Sequence, residues 1–250
     1  MRQVVLFIFF IVLVYACSRT CESDYSEPIK SPVDEIVKTM SSVPTYSVIL
    51  YDMNTEGSIF KEYYHQYQII SEDESGEVKE EITDWHPVGE DFFKANLDNM
   101  GMEIVAKGED GKVTKGVSPP GYGAYVGNEK YGRWEQRNGE SFWSFYGKFA
   151  MMNAMFNMMA YPARRSYYND YRGGYYGTGR SYYGAKGADG SYTYGTNSKY
   201  NTTTNKSSKW SSNASNNSFK QQVRTSTPQS SKSGSRYSNF SRSRSGGYGK

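Results

Sequence analysis

Cysteine is nearly missing from this chain. Only Cys17 and Cys21 occur, close together near the start. That count excludes a disulfide framework and the multi-cysteine pattern of a structural zinc site. Histidine is equally scarce: His65 and His86 have no second histidine or cysteine at ligand spacing, so they read as packing or surface residues and no metal is expected. After Tyr161 the chain has no Leu, Ile or Met, and Val223 is its one valine. Acidic residues also fail there, with only Asp170 and Asp189 remaining.

No cofactor motif is present either. Gly121-Tyr122-Gly123 opens like a dinucleotide loop, but the third glycine is misplaced and Pro119-Pro120 stands where a strand should end. Gly139-Glu140-Ser141-Phe142-Trp143 lacks the closing glycine of a nucleophile elbow. Carboxylate pairs such as Asp73/Glu74, Glu80/Glu81 and Glu90/Asp91 follow from an acidic composition and read as a solvated face rather than as general acids and bases.

What is there begins with an address. Arg2 precedes an apolar run, Val4 to Tyr15, and Val14-Tyr15-Ala16 leads into Cys17. The run is about a dozen residues where ~20 are needed to cross a bilayer. This stretch resembles the signal peptide of a bacterial lipoprotein precursor. In that family, cleavage occurs before a cysteine whose sulfur carries diacylglycerol. Val14 takes the place usually held by Leu, Ala16 fits, and Tyr15 is larger than the usual small residue. The resemblance implies a signal peptide at 1–16, lipidation of Cys17 with its fatty acyl chains, and anchoring to a membrane of the bacterial cell envelope. Val14 and Ala16 also suit simple cleavage, which would leave the protein secreted.

Charge divides the chain in two. Residues 1–161 carry 14 Lys+Arg against 24 Asp+Glu, a net −10, and residues 162–250 carry 15 against 2, a net +13. Composition shifts at the same point, toward Gly, Ser, Asn, Thr, Tyr and Arg. A segment so poor in aliphatic residues cannot bury enough surface to offset ~1–2 kcal/mol of backbone ordering per residue, so a disordered basic tail is expected over 162–250. Residues 17–30 read as a tether and 31–161 as one acidic domain.

Within that domain the pattern predicts α+β: a small antiparallel sheet with two or three helices. Ser31-Pro32-Val33-Asp34-Glu35 is a helix start, with Val33, Ile36, Val37 and Met40 on one face. Thr45–Met53 reads as a buried strand, and Ile59–Ser71 and Glu77–Trp85 as a hairpin about the polar turn at 72–76. Gly89–Asn99 suits a short helix, and Met102–Lys107 and Lys112–Val117 a second hairpin around Glu109-Asp110-Gly111.

Residues 118–141 alternate glycine with large aromatics and predict a loop that stacks rings. Ser141–Tyr161 has aromatics at helical spacing and is long enough to span a bilayer. Lys148, Asn153 and Asn157 oppose a span, and the expectation is a core helix. Its Phe142, Phe145, Phe149 and Phe156 would meet the sheet, and Met151, Met155 and Met158 would form a partly exposed face.

The function expected from these features is that of a lipid-anchored envelope protein with a structural or interaction role, more a binder than an enzyme. Its partners are a membrane, through the anchor, and anionic polysaccharide or lipid head groups, through the basic tail. Tyr171-Arg172-Gly173-Gly174-Tyr175 and Ser241-Arg242-Ser243-Arg244-Ser245 would suit RNA in a cytosolic protein, but the export signal argues against nucleic acid. The rival is an envelope hydrolase acting on polysaccharide with carboxylates between Glu129 and Glu140. A concave pocket with convergent acids near Trp134 would mark it. Asn-x-Ser/Thr triplets at Asn201 and Asn213 are expected by chance in so polar a tract.

Overall fold

The computed structural model describes residues 31–57, 60–149 and 163–226. The leader at 1–16, Cys17, Cys21 and the tether to residue 30 lie outside the described residues, as do Met151, Met155, Met158 and the Ser241–Ser245 repeat.

The expected α+β class is what the chain forms. Pro32–Thr39 is helix α1, which buries Val33 and Ile36; the Ser31 carbonyl accepts the Asp34 N–H at 3.0 Å. Strands β1 (Thr45–Glu56), β2 (Glu62–Glu72) and β3 (Val78–Ile82) follow, then β4 (His86–Val88), helix α2 (Glu90–Ala95), β5 (Glu103–Lys107) and β6 (Val113–Thr114). They make one antiparallel sheet in the order β3-β2-β1-β5-β6, with β4 also paired to β2.

β1 is buried along nearly its whole length because the sheet is covered on both sides. Tyr46, Val48, Leu50 and Met53 face a layer built by α1 and α2, with Phe93 at its centre. Ile49, with Ile70 of β2 and Ala106 of β5, faces a second layer dominated by Tyr122, Tyr125, Tyr131 and Trp143.

Two expectations fail. Ser141 does not start a helix: Glu140–Phe145 is strand β8, paired with β7 (Gly132–Arg137) in register from Gly132↔Phe145 to Arg137↔Glu140. A 3-10 turn, Gly147–Phe149, follows, and residues 150–162 lie outside the described residues. The turn explains the outcome. Asn138 and Gly139 both take positive φ, 51° and 81°, the backbone that closes a two-residue hairpin with the strands' own twist. Trp143 and Phe145 then point inward by alternation, a period that the helical spacing had hidden.

The second failure is the boundary at Tyr161. Residues 163–226 are not a disordered tail: they pack on both faces of the sheet. Tyr171 and Tyr182 join the tyrosine layer, whereas Trp210 and Phe219 join the helical layer beside Phe93. The elements are α3 (Arg165–Gly174), a π-helical turn at Tyr200–Thr204, α4 (Lys209–Ser212) and α5 (Ala214–Ser226). Leu, Ile and Met are indeed absent there, but a buried aromatic ring contributes a comparable ~1.5–3 kcal/mol.

Asparagines and one aspartate fasten the backbone. Asp52 of β1 accepts the N–H groups of Lys209 (2.6 Å) and Trp210 (3.1 Å), so the first turn of α4 is capped by a distant strand. Burial raises the Asp52 pKa, an effect those N–H bonds and that of Met53 only partly oppose. Asn216 is fully buried and accepts Thr55 N–H and Oγ1–H, both at 2.7 Å, while donating to Asn54 Oδ1 and the Lys209 carbonyl. Asn201 likewise donates to the carbonyls of Met100 and Gly195.

Candidate functional site

The tyrosine layer rests on one buried carboxylate. In β5 a bulge at Ile104 changes the pairing from Val48↔Val105 to Ile49↔Glu103. Glu103 is thereby turned to the tyrosine face, opposite to Val105. There it is 1 % exposed and accepts four hydrogen bonds, from Ser47 Oγ (2.5 Å), Ser118 Oγ (3.1 Å), Gly121 N (2.9 Å) and Gly123 N (2.9 Å). Burial pushes its pKa up to about 7 despite those donors.

The glycines are required here. A Cβ on Gly123 would lie 2.5 Å from Glu103 Oε1 and 2.9 Å from the Ala106 Cβ. Gly121-Tyr122-Gly123 is therefore a carboxylate clasp rather than a nucleotide loop. It seats Tyr122 under Tyr168 and Tyr171, and so fixes α3 against the sheet.

α3 and the turn after it carry a row of cations, most of them set over rings. Arg172 lies 3.8 Å from the centroid of Tyr176, Arg180 4.7 Å from Tyr175 and Lys112 5.6 Å from Tyr176. Arg165 sits 5.7 Å over Trp134, and Lys186 5.1 Å over Tyr192. Arg164 also pairs with Glu140 at 2.9 Å. A ring orients a guanidinium without neutralising it. Arg165, Arg172, Arg180 and Lys186 therefore keep their charge for another partner, unlike Arg164, which pairs with Glu140, and Arg133 and Arg137, which both pair with Glu135. Burial raises the pKa of Tyr168 and Tyr171 and pushes that of Tyr183 up to about 12, so these three stay neutral.

Between β6 and the turn after α3 lies a cleft of about 110 Å³, lined among others by Lys112, Thr114, Lys115, Tyr175, Gly177 and Arg180. A smaller space of about 30 Å³ beside Val33 and Phe92 has room for little more than a water.

His65 is buried and stacked 5.1 Å from Phe93, with Nδ1 3.2 Å from the Tyr67 hydroxyl; burial lowers its pKa to about 3, so it is neutral. His86 pairs with it in the ladder and lies near Tyr67. Among the described residues no group of three or more His, Cys, Asp or Glu is assembled as a metal site would require.

The carboxylates near Trp134 do not converge: Glu135 is held by two arginines, Glu140 by Arg164, and Trp134 packs on Trp143 and Tyr168. A different acidic cluster, missed in the sequence, forms where Lys130 bridges Glu72 (2.8 Å) and Glu109 (2.7 Å), with the Tyr131 hydroxyl donating to Glu72. It ties the Asn128–Tyr131 turn to the sheet. Asp73 is held well below the usual carboxylate range by Ser75, the Glu77 N–H and Lys79, as a turn-closing group. Asn201 is buried, so its triplet presents no acceptor for glycosylation.

Among the described residues, no helix is long and apolar enough to cross a membrane. No protein family, curated protein or solved structure matches the chain.

Proposed function

We propose that this is an exported protein of the bacterial cell envelope, anchored by lipid on Cys17. Its role is to bind anionic envelope material through the cationic face of residues 164–186 and Lys112. The observation that carries the reading is the way these cations are held. Arg165, Arg172, Arg180 and Lys186 rest on aromatic rings, positioned yet still charged. A protein that used its basic half only to neutralise its acidic half would pair these groups with carboxylates. Among the described residues Arg164 with Glu140 is the pair that joins the two halves; the other paired carboxylates find lysines and arginines in their own half, as in Lys130 with Glu72 and Glu109 and Lys79 with Asp73. A spread of fixed positive charge on a folded surface favours polyanions, whose repeating charges meet several cations at once.

The anchor half of the reading is tested by the mass of the mature N-terminus. An acylated Cys17, lost in Cys17→Ser with release of the protein, supports it; an unmodified Cys17 in soluble protein refutes it. The binding half is tested by retention of the full chain on an acidic polysaccharide. Retention should be strong at low salt and weaken steeply with added salt, since contacts of this kind are screened over ~8 Å at physiological ionic strength. Retention indifferent to salt, or none at low salt, refutes it.

A further inference from the structure

We infer that the cleft between β6 and the turn after α3 is a subsite for one oxyanion substituent, carboxylate or phosphate, of an acidic glycan. The inference rests on the polyanion reading above and assigns it a place and a ligand class.

Size comes first. At about 110 Å³ the cleft falls well below the ~300–1,000 Å³ that encloses a whole small ligand, so it suits a single group projecting from a larger molecule. Charge comes second. Lys112, Lys115 and Arg180 line it together. Lys115 is shared with Asp34 at 2.7 Å, and Asp110 spends one carboxylate oxygen on the backbone N–H of Lys112. Lys112 and Arg180 are held by the rings of Tyr176 and Tyr175.

Backbone shape comes third. Gly177 and Gly179 take φ of 72° and 73°, a path that side chains resist. A Cβ on Gly177 would lie 3.5 Å from Lys112 Nζ, so glycine leaves that ammonium open to a ligand.

A membrane is the weaker partner for this geometry. Stable lipid binding needs apolar side chains free to insert beside the cations; here Tyr171 is buried and Tyr175 half-buried under Arg180, the rest of the lining is glycine, threonine and charged groups, and Val113 is the exposed apolar residue. A polymer instead engages the cleft with one substituent while its next charges reach Arg172 and Arg165.

The test measures affinity of the full chain, in detergent, for polygalacturonate, for inorganic phosphate and for anionic phospholipid vesicles. Lys112→Gln combined with Arg180→Gln should weaken polygalacturonate binding at least tenfold. Thr114→Tyr, which fills the cleft while keeping every cation, should do the same. Lys199→Gln with Lys206→Gln, exposed and remote from the cleft, should change it less than threefold, and circular dichroism should match the wild type throughout. Phosphate should compete with the polymer in the wild type and fail to bind the Thr114→Tyr variant. Tight wild-type binding that all these variants leave unchanged, or lose equally, overturns the subsite while sparing the polyanion reading. Binding to vesicles but not to polygalacturonate overturns the glycan assignment. A wild type that binds none of the three removes the parent reading, and this inference with it.

Discussion

Replacing Glu103 with Gln should make the protein less sensitive to alkaline pH while leaving its fold intact. The carboxylate has an ordinary pKa of 4.5 and is pushed up to about 7 by burial. A raised acid pKa means that the folded state binds the proton more tightly than the unfolded chain. Its stabilising contribution is therefore complete below 4.5 and is lost as pH rises through about 7. The shift corresponds to about 3 kcal/mol across that window.

The four donors set what each variant does. The Ser47 and Ser118 hydroxyls can rotate to accept from a protonated carboxyl, but the Gly121 and Gly123 N–H groups can only donate. Glutamine keeps an oxygen for those two N–H groups and an NH₂ for the serines. Glu103→Ala leaves both N–H groups without their acceptor, at ~1–3 kcal/mol each. Urea unfolding of the full chain at pH 5 and pH 8 reads the outcome. The wild type should lose stability over that interval relative to Glu103→Gln, by up to about 3 kcal/mol, and Glu103→Ala should be destabilised by several kcal/mol at both. Equal pH slopes in wild type and Glu103→Gln, or an alanine variant within ~0.5 kcal/mol of wild type, would refute the reasoning.

Two further tests probe the buried histidine and the C-terminal packing. His65 has its pKa lowered from 6.5 to about 3, so it contributes stability above 6.5 that is lost as pH falls. Between pH 6.5 and pH 4 the wild type should lose about 3 kcal/mol relative to His65→Phe, measured by urea unfolding, and parallel acid limbs would contradict this. Asn216→Ala removes the acceptor for Thr55 N–H and Oγ1–H and should cost about 2–4 kcal/mol. Limited proteolysis should then cut within 209–226 faster than in the wild type, whose resistant core extends through 163–226. A wild-type core ending near Arg164 or Arg165 would show that this packing does not hold in solution.

Much of the sheet was legible in the sequence because each of its elements carries local signals. Ser31-Pro32 starts α1, the acidic turn at 72–76 separates β2 from β3, and Glu109-Asp110-Gly111 separates β5 from β6. β8 was misread because Phe142, Trp143, Phe145 and Phe149 fit a helical spacing as well as an alternation. The deciding signal was Asn138-Gly139, a two-residue hairpin turn that outweighs periodicity in so short a run.

The packing of residues 163–226 was hidden for another reason. Counting aliphatic residues registers Leu, Ile and Val, but Tyr171, Tyr182, Trp210 and Phe219 do the burying, and Asn201 and Asn216 supply the hydrogen bonds. Glu103 left one trace, an acid inside the apolar run from Met102 to Ala106. Its clasp depends on Ser47 and Gly121, which only the fold brings near. The cationic face was half legible: its charge follows from composition, whereas the seating of each arginine on a ring needs the three-dimensional neighbour.

The most direct test of the central claim is arginine footprinting. The full chain is modified with a glyoxal reagent, with and without an acidic polysaccharide, and each arginine's modification is read by mass spectrometry. The polymer should protect Arg172 and Arg180, while Arg133 and Arg137, paired with Glu135, should react equally in both samples. Protection spread evenly over all arginines, or absent from Arg172 and Arg180, would contradict it.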